Sequence, residues 1–452
     1  MSLCHAQPAA VDLFNGKDFT GWAQRGGKAE YTIENGEIVG TSVLNTPNSF
    51  LCTEREYGDF ILEYDFKVDG RLNSGVQIRS LIFNKPMEYE FDGKTFKVPA
   101  GRLHGYQVEI DPDMNRKRMW SGGIYDEGRR GWLFPAANDE KQKAAFSGTG
   151  LRVFKQEDWN SVRVEARGDS IKTWLNGEPM ADLKDSVTAS GFIGLQVHSI
   201  GNKDHEGTKV RWRNLKITDL DPPANTLSAQ EKAVGWKLLW DGKTTDGWRG
   251  AKSDSFPTKG WEIKNGVLTV LASGGAESAA GGDIITRDRY SDFELKIDFK
   301  MTPAANSGIK YFTQPNLDPI TGTGSTTTTG SAIGLEYQIL DDLRHPDAKM
   351  GRDGNRTLAS LYDLLTAAAS KKPNAIGQWN QAHLIVRGNH VEHWLNGEKV
   401  LGYERATPEF REMVAKSKYH NIPGFGEWTD GHILLQDHGD HVSFRNIKIL
   451  VR

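Results

Sequence analysis

Several segments alternate apolar residues with residues able to move protons or hold charge. In a strand, residues i and i+2 share a face, so each segment presents its polar members on one side. Gln77 and Arg79 flank Ile78, Gln107 and Glu109 flank Val108, and Gln196 and His198 flank Val197. Further along stand Lys310, Glu336 and Gln338 around Tyr337, and Gln436 and His438 around Asp437. Tyr125-Asp126 has a counterpart in Tyr362-Asp363, and His104 is a further candidate. A carboxylate and an imidazole on one face can pass a proton between them, and a cation can hold negative charge as it develops. Amides, carboxylates, imidazoles and aromatic rings also match the hydroxyls and apolar ring faces of a polyhydroxylated ligand. A solvated outer sheet face accounts for such residues equally well on composition. It does not explain why Gln, carboxylate and His return in both halves, where Lys, Glu and Thr would serve as freely.

Other motifs carry less. Glu109-Ile-Asp111-Pro-Asp113-Met114 begins like the Glu-x-Asp-x-x-Glu strand of sandwich glucanases and then lacks the closing Glu, so the carboxylate pair of a retaining glycosidase is incomplete. Gly-x-Ser-x-Gly, the P-loop and His-Glu-x-x-His are absent, which argues against a serine hydrolase, a P-loop NTPase and a zincin. His438-Gly-Asp440-His441 and Asp204-His205 have the residue types for a divalent metal, although such clusters in loops are more often solvated turns. No cofactor is otherwise indicated.

The elements that must position these residues come in two copies. Leu13-Phe-Asn-Gly-Lys-Asp-Phe-Thr-Gly-Trp22 returns 226 residues later, starting at Leu239. Asp59-Phe-Ile-Leu-Glu-Tyr-Asp-Phe-Lys67 returns 233 residues later at Asp292, and each is followed by Asn-Ser-Gly, at Asn73 and Asn306. Trp159-Asn160 with Trp174-Leu-Asn-Gly177 returns 220 residues on as Trp379-Asn380 with Trp394-Leu-Asn-Gly397. Gly191-Phe-Ile-Gly-Leu-Gln-Val-His198 returns 240 residues on, at Gly431. Kept order with drifting offsets means duplicated domains, and the period is too long for a solenoid. We place them at 11–220 and 236–452, with a linker at Asp221-Pro-Pro-Ala-Asn225.

Each copy reads as all-β. Phe60–Val68, Val162–Ala166 and Glu294–Lys300 alternate with period two, and Asn35-Gly36, Asn176-Gly177, Asn265-Gly266 and Asn396-Gly397 mark tight hairpins. Domains of this size built so are sandwiches or jelly rolls. Helices are minor: Ser228-Ala-Gln-Glu231 is a capping box for one that ends at Gly235, and Thr407-Pro408-Glu409 starts another. Trp22, Trp159, Trp174, Trp248, Trp379 and Trp394 read as core or turn-packing residues.

Composition sets the bounds. With 56 basic and 59 acidic residues the formal net charge is −3, which removes the usual electrostatic reason to expect a nucleic-acid partner. No apolar run is long enough to span a membrane. Two cysteines, Cys4 and Cys52, cannot build a disulfide framework, and Cys52 reads as a small core residue. Cys4-His5-Ala6 before Gln7 reads as the end of a cleaved export signal or, equally, as a native start.

The Asn-Ser-Gly motif, Tyr106-Gln-Val-Glu-Ile110 and Glu336-Tyr-Gln-Ile339, the two Tyr-Asp pairs, Trp-Leu-Asn-Gly and Leu435-Gln-Asp-His-Gly-Asp440 resemble the 3-keto-disaccharide hydrolase family. That family is also described as 3-keto-glucoside 1,2-lyase and 3-keto-2-hydroxy-glucal hydratase. The resemblance runs over about 11–220 and 236–451. The first copy departs at its end, with Leu195-Gln-Val-His-Ser-Ile200 and a longer insertion before Arg213-Asn214. The resemblance implies two concanavalin A-like jelly rolls, export to the periplasm or cell surface, an oligosaccharide or glycoside substrate, and cleavage of 3-keto-glycosides by loss of the C2 proton, elimination and hydration. On that basis Glu336 and His438 are expected as the acid/base pair, with Lys310 or a divalent metal polarising the ketone. Gln338, Tyr362, Asp363 and Gln436 would orient the sugar. In the first copy Glu109 and His198 are expected in catalysis, with Arg79, His104, Gln107, Tyr125 and Asp126 in binding. A non-catalytic glycan-binding tandem and a conventional glycoside hydrolase are the alternatives.

Overall fold

All four Asn-Gly pairs adopt positive φ at both residues, for example 53° and 79° at Asn35-Gly36 and 51° and 83° at Asn396-Gly397. Those angles give the tight turn whose twist matches its flanking strands. Each pair accordingly joins adjacent strands, with registers that close on Glu34↔Glu37, Leu175↔Glu178, Lys264↔Val267 and Leu395↔Glu398. In this computed structural model residues 8–113, 118–274, 277–278, 280–317 and 331–452 are described. The leader reading at Cys4-His5-Ala6 and Met114 of the incomplete glucanase motif fall outside them.

The chain divides into two compact units between Pro222 and Pro223. Each is a jelly-roll sandwich of two antiparallel sheets. In the first unit an eight-stranded sheet carries Phe60–Val68 and Lys209–Asp219 at its middle. The seven-stranded sheet against it runs, edge to edge, Gly131–Phe134, Ile124–Glu127, His104–Ile110, Ser74–Leu81, Phe192–Val197, Ser49–Thr53 and Trp22–Gly26. The second unit repeats the eight-stranded sheet around Phe293–Met301 and Val442–Val451. Its smaller sheet runs Ile333–Leu340, Asn306–Gln314, His432–Leu435, Ile284–Thr286 and Trp248–Gly250.

The two sheets of each unit differ in how they are covered. Phe293–Met301 in the larger sheet alternates buried and half-buried residues, one face on the core and one towards water. Ser74–Leu81 and His104–Ile110 are buried at every position, as is Asn306–Gln314 except at Gln314. Loops therefore cover the second face of the smaller sheets, and that is the face bearing the repeated polar residues.

The short helices form at Ala229–Val234, with the Ser228/Glu231 capping box closed and Gly235 at φ 95°, and at Pro408–Ala415, capped by Thr407. A 14-residue helix, Glu140–Val153, was not foreseen, because only Phe146 and Gly150 of it are buried and its apolar stripe is weak. None of the helices in the described residues is long and apolar enough to cross a membrane. Trp22 and Trp248 are core residues whose indole N–H groups donate to Leu13 O and Leu239 O. Trp159, Trp174, Trp379 and Trp394 lie outside the core, and of these Trp174 and Trp394 stand two residues before an Asn-Gly turn, which fits the turn-packing alternative. These are half-buried on the larger sheets, where Arg213 lies 3.9 Å over Trp159 and Arg445 4.2 Å over Trp379. Cys52 is a free, buried thiol packed with Phe50 and Leu103.

Candidate active site

The Asn-Ser-Gly motif acts the same way in both copies. Its Ser hydroxyl ties the strand to its neighbour, Ser74 Oγ donating to Gln196 O at 2.6 Å and Ser307 Oγ to Gln436 O at 2.8 Å. Its Asn holds a side chain of the next strand: Asn73 Nδ2 donates to Glu109 Oε1 at 2.6 Å, and Asn306 Oδ1 accepts from Gln338 Nε2 at 3.4 Å. Its Gly leaves room for a second one. A Cβ on Gly75 would sit 2.6 Å from the Gln107 side chain, and one on Gly308 would sit 2.2 Å from Glu336 Oε1.

Strand registers fix which residues correspond. Gln107 faces Gln77 and Glu109 faces Gly75, whereas Glu336 faces Lys310 and Gln338 faces Gly308. Glu336 is thus the counterpart of Gln107, Gln338 of Glu109, and Lys310 of Gln77. Glu109 and Arg79, expected in the first copy's site, therefore each stand one step along the strand from the true counterparts of Glu336 and Lys310. Asp283, beside Ile284↔Leu435, falls where the first copy has Phe50, beside Leu51↔Leu195.

In the second domain these substitutions build a charged, enclosed cluster. Lys310 Nζ lies 3.7 Å from Asp283 Oδ2 and 3.8 Å from Glu277 Oε1, and faces Glu336 across the ladder. Burial pulls its pKa down, but Asp283, Glu336 and Glu277 together outweigh this and hold it well above the usual lysine value. Burial pushes Glu336 up to about 7, against the pull of Lys310 and Lys418. Asp283, fully enclosed, rises for the same reason to about 6. Glu277, whose side chain keeps 33% of its exposure, goes the other way: burial opposes it, but Lys310, Lys418 and His438 hold it below the usual value.

Lys418 was not anticipated from sequence. It is half-buried with its ammonium 4.2 Å over the Tyr362 ring, and it closes no salt bridge among the described residues. Burial lowers its pKa, and Glu336 and Glu277 only partly offset this. Tyr362 and Asp363 are its scaffold. Tyr362 donates to Asp347 at 2.9 Å, and Asp363 accepts from Arg356 Nε and from the Lys418 backbone N–H, both at 2.8 Å.

Three polar atoms around this cluster are buried without a protein partner among the described residues: Gln338 Oε1, Gln436 Oε1 and His438 Nδ1. Gln436 Nε2 donates to Glu277 at 3.3 Å, placing that amide against the cluster. Unpaired buried polar atoms are rare and point to a ligand or water. Asp440 of the metal reading accepts from the N–H group of Asn306, and its neighbour Asp437 accepts from those of Gly281, Gly282 and Gly439. No group of three or more His, Cys, Asp and Glu among the described residues is placed to hold a metal ion.

The first domain brings Gln77, Gln107, Glu109, Tyr125 and Gln196 onto one face, all but Tyr125 at most 5% exposed. The other expected residues lie elsewhere or are occupied. Arg79 sits on a bulge at φ 46°, and its guanidinium is spent on Gly58 O, Gly168 O and Asp59. His104 has both ring nitrogens engaged, by Tyr89 at 2.7 Å and Arg102 O at 3.0 Å, and burial lowers it to about 4. Asp126 is locked between Arg129 and Arg130. His198 is half-buried, with Nδ1 2.7 Å from Ser199 O.

The comparisons agree with the duplication. A family model described as the 3-keto-alpha-glucoside-1,2-lyase-like domain matches residues 9–218 and again 235–450. The chain belongs to this family. It is 36% identical over 253 residues to a 3-keto-disaccharide hydrolase of Bacteroides thetaiotaomicron, covering 53% of this chain and 84% of that protein. A crystal structure from Parabacteroides distasonis ATCC 8503, provisionally named a glycosyl hydrolase, is 29% identical over 51% of this chain and all of its own, with a TM-score of 0.43. A carbohydrate-binding module from Bacillus subtilis aligns with 44% of this chain and 95% of its own at 19% identity and a TM-score of 0.28.

Proposed function

We propose that the protein is a 3-keto-glycoside hydrolase whose chemistry takes place in the second domain, with Glu336 as the base. The observation that carries this is one carboxyl, held near neutrality by burial, facing a buried ammonium and close to a second. A C3 ketone acidifies the C2 proton of the sugar. Glu336 takes that proton, and the electrons pass towards the C3 oxygen, where Lys418 balances the developing charge. The enolate reforms the ketone as C1=C2 forms and the C1–O bond breaks, and His438 protonates the departing oxygen. Water then adds at C1 and the proton returns to C2, giving net hydrolysis. Lys310 stays protonated and keeps Glu336 ionisable near neutral pH, while Gln338 and Gln436 offer free carbonyl oxygens to sugar hydroxyls.

The test is turnover of a 3-keto-disaccharide in D2O, with and without chelator, followed by NMR. Deuterium at C2 of the product and a transient glycal are expected, with no turnover of the unoxidised disaccharide. Product without C2 deuterium, or cleavage of the unoxidised glycoside at a similar rate, would favour an ordinary glycosidase. Tight binding with no turnover would reduce the protein to a glycan-binding tandem.

A further inference from the structure

We propose that Asp347 is a positioning residue: through Tyr362 and Arg356 it holds the Lys418 ammonium on a ring face, off the carboxylates, near Glu336. The inference rests on the role given to Lys418 above and says what keeps that role available. Asp347 lies in a 3₁₀ turn, Pro346–Lys349, whose start is fixed by His345 Nδ1 accepting from the Asp347 N–H at 3.2 Å. The side chain is buried, and both its oxygens are taken. Oδ1 accepts from Arg356 Nη1 and Oδ2 from the Tyr362 hydroxyl, each at 2.9 Å. Arg356 Nε reaches on to Asp363 Oδ1, and Asp363 Oδ2 accepts from the Lys418 backbone N–H, both at 2.8 Å. The Tyr362 N–H donates to Glu336 O at 3.0 Å. One closed set of bonds thus ties Lys418 to the strand that carries the base.

The Tyr362 ring is where this set meets the chemistry. Its centroid lies 4.2 Å from the Lys418 ammonium and 5.3 Å from the Arg356 guanidinium. A ring face attracts a cation without neutralising it. A carboxylate would pair with the ammonium and cancel the charge that an enolate needs. Asp347 and Asp363 are engaged by Arg356, by Tyr362 and by the Lys418 backbone, so neither closes on that ammonium. The other charged groups acting on it are Glu336, Glu277 and Lys310, all members of the site.

The first domain shows the same tyrosine without this set. Tyr125 faces Gln107 in the ladder, as Tyr362 bonds to Glu336. Its ring meets Trp132 at 5.3 Å, and Asp126 turns to Arg129 and Arg130. The tyrosine is common to both copies, and the lysine over it belongs to the second.

The experiment compares the full chain with its Asp347→Asn and Tyr362→Phe variants. Asparagine offers one acceptor oxygen to two donors, so either Arg356 or Tyr362 must let go. The first readout needs no substrate. Each protein is acetylated with limiting acetic anhydride from neutral to alkaline pH, and labelling of Lys418 is read by peptide mass spectrometry. Only the neutral amine reacts, and burial keeps Lys418 below the ordinary lysine value. Losing a negative charge at 347 would by itself move the labelling midpoint down. Release of Lys418 from the ring, to water or onto Glu336 or Glu277, moves it up. The expected result for Asp347→Asn is therefore an upward shift, with kcat for 3-keto-trehalose at least about tenfold lower and KM within about twofold. Tyr362→Phe keeps the ring and loses only its bond to Asp347, so both readouts should move the same way and by less. A midpoint that stays or falls in both variants would make Asp347 a structural residue and overturn the proposal, whatever happens to the melting temperature. Loss of fold in Asp347→Asn would pass the decision to Tyr362→Phe. An unaltered chain that does not turn over the substrate would sink the elimination mechanism, and the labelling shift would still decide whether Asp347 positions Lys418.

Discussion

The two copies keep the same ladder, the same Asn-Ser-Gly motif and the same bulge, at Arg79 with φ 46° and at Phe312 with φ 51°. They differ in what stands on the shared face. In the first, amides hold one another and a single carboxylate accepts from two of them. In the second, three carboxylates surround a buried lysine, and another lysine lies over Tyr362. Duplication thus preserved the scaffold while charge diverged, because hydrogen bonds along the ladder are indifferent to side chains that face away from the core. Charge also needs burial and partners, and here these come from loops that differ between the copies.

The largest separation is expected from removing the base. Glu336→Gln should lower turnover of a 3-keto-disaccharide by about 10²–10⁴-fold, the usual contribution of a positioned general base. Glu109→Gln should cost at most about a few-fold, because both oxygens of that carboxyl are held by amides. Aglycone release under saturating substrate measures both. Equal losses would mean that both faces are chemically active and that the comparison is wrong.

Next in size is the lysine. Lys310→Met leaves Asp283, Glu277 and Glu336 facing one another without their shared cation. Breaking a buried ion pair from one side costs about 3–5 kcal/mol, so a large drop in unfolding free energy is expected by denaturant titration. Gln77→Met removes one member of a neutral amide chain and should cost about 1–2 kcal/mol. In whatever Lys310→Met protein remains folded, the carboxyl of Glu336 loses its strongest stabilising charge. Its pKa rises further, and the alkaline rise in kcat/KM moves to higher pH. A limb that stays in place would show that Glu336 is not the titrating base.

Much of this was legible in the sequence, for reasons that can be named. Asn-Gly pairs dictate positive φ at fixed positions, and period-two patterns dictate which residues share a face. The repeat, the sheets and the polar faces followed from these. The identity of counterparts did not, because Glu109 and Glu336 share a face but differ by one pair in register, and only the ladder with Gly75 and Gly308 distinguishes them. Arg79 looked like a face residue by spacing; the bulge breaks the alternation there and sends its guanidinium to Gly58 and Gly168. Lys418 and Glu277 have no partner in the repeat, so matching the copies could not find them. Their signal lay in the offsets instead. The spacing grows from 226 to 233 across the segment holding Glu277, and from 220 to 240 across the one holding Lys418. Insertions present in only one copy are where that copy differs.

A smaller effect tests the motif glycines. Gly308→Ala places a Cβ 2.2 Å from Glu336 Oε1, and Gly75→Ala places one 2.6 Å from the Gln107 side chain. Each should lose about 1–3 kcal/mol as the neighbour shifts. Only Gly308→Ala moves the base, so its kcat should fall by at least about tenfold. Gly75→Ala should act on stability first. If both reduce kcat alike, Gln107 sits nearer to the chemistry than its amide chain suggests.

The smallest effect sets the two carboxyls against each other at the same pH. Burial raises both Glu109 and Glu336 to about 7 from an ordinary 4.5. A carboxyl whose folded pKa is raised binds its proton more tightly in the folded protein. Its contribution to stability is therefore complete below about pH 4.5 and is lost as pH rises through about 7. For Glu109 this amounts to about 1–3 kcal/mol between pH 5 and 8. Glu109→Gln, which cannot titrate, should flatten the dependence of unfolding free energy on pH by that amount. The same window has the opposite meaning for Glu336, since its ionised form is the base, and kcat/KM should rise through about pH 7 as stability falls. Glu109→Gln should leave the position of that kinetic limb in place while altering the stability profile. A limb displaced by Glu109→Gln would tie the first domain's carboxyl to the chemistry and remove the division of labour between the copies.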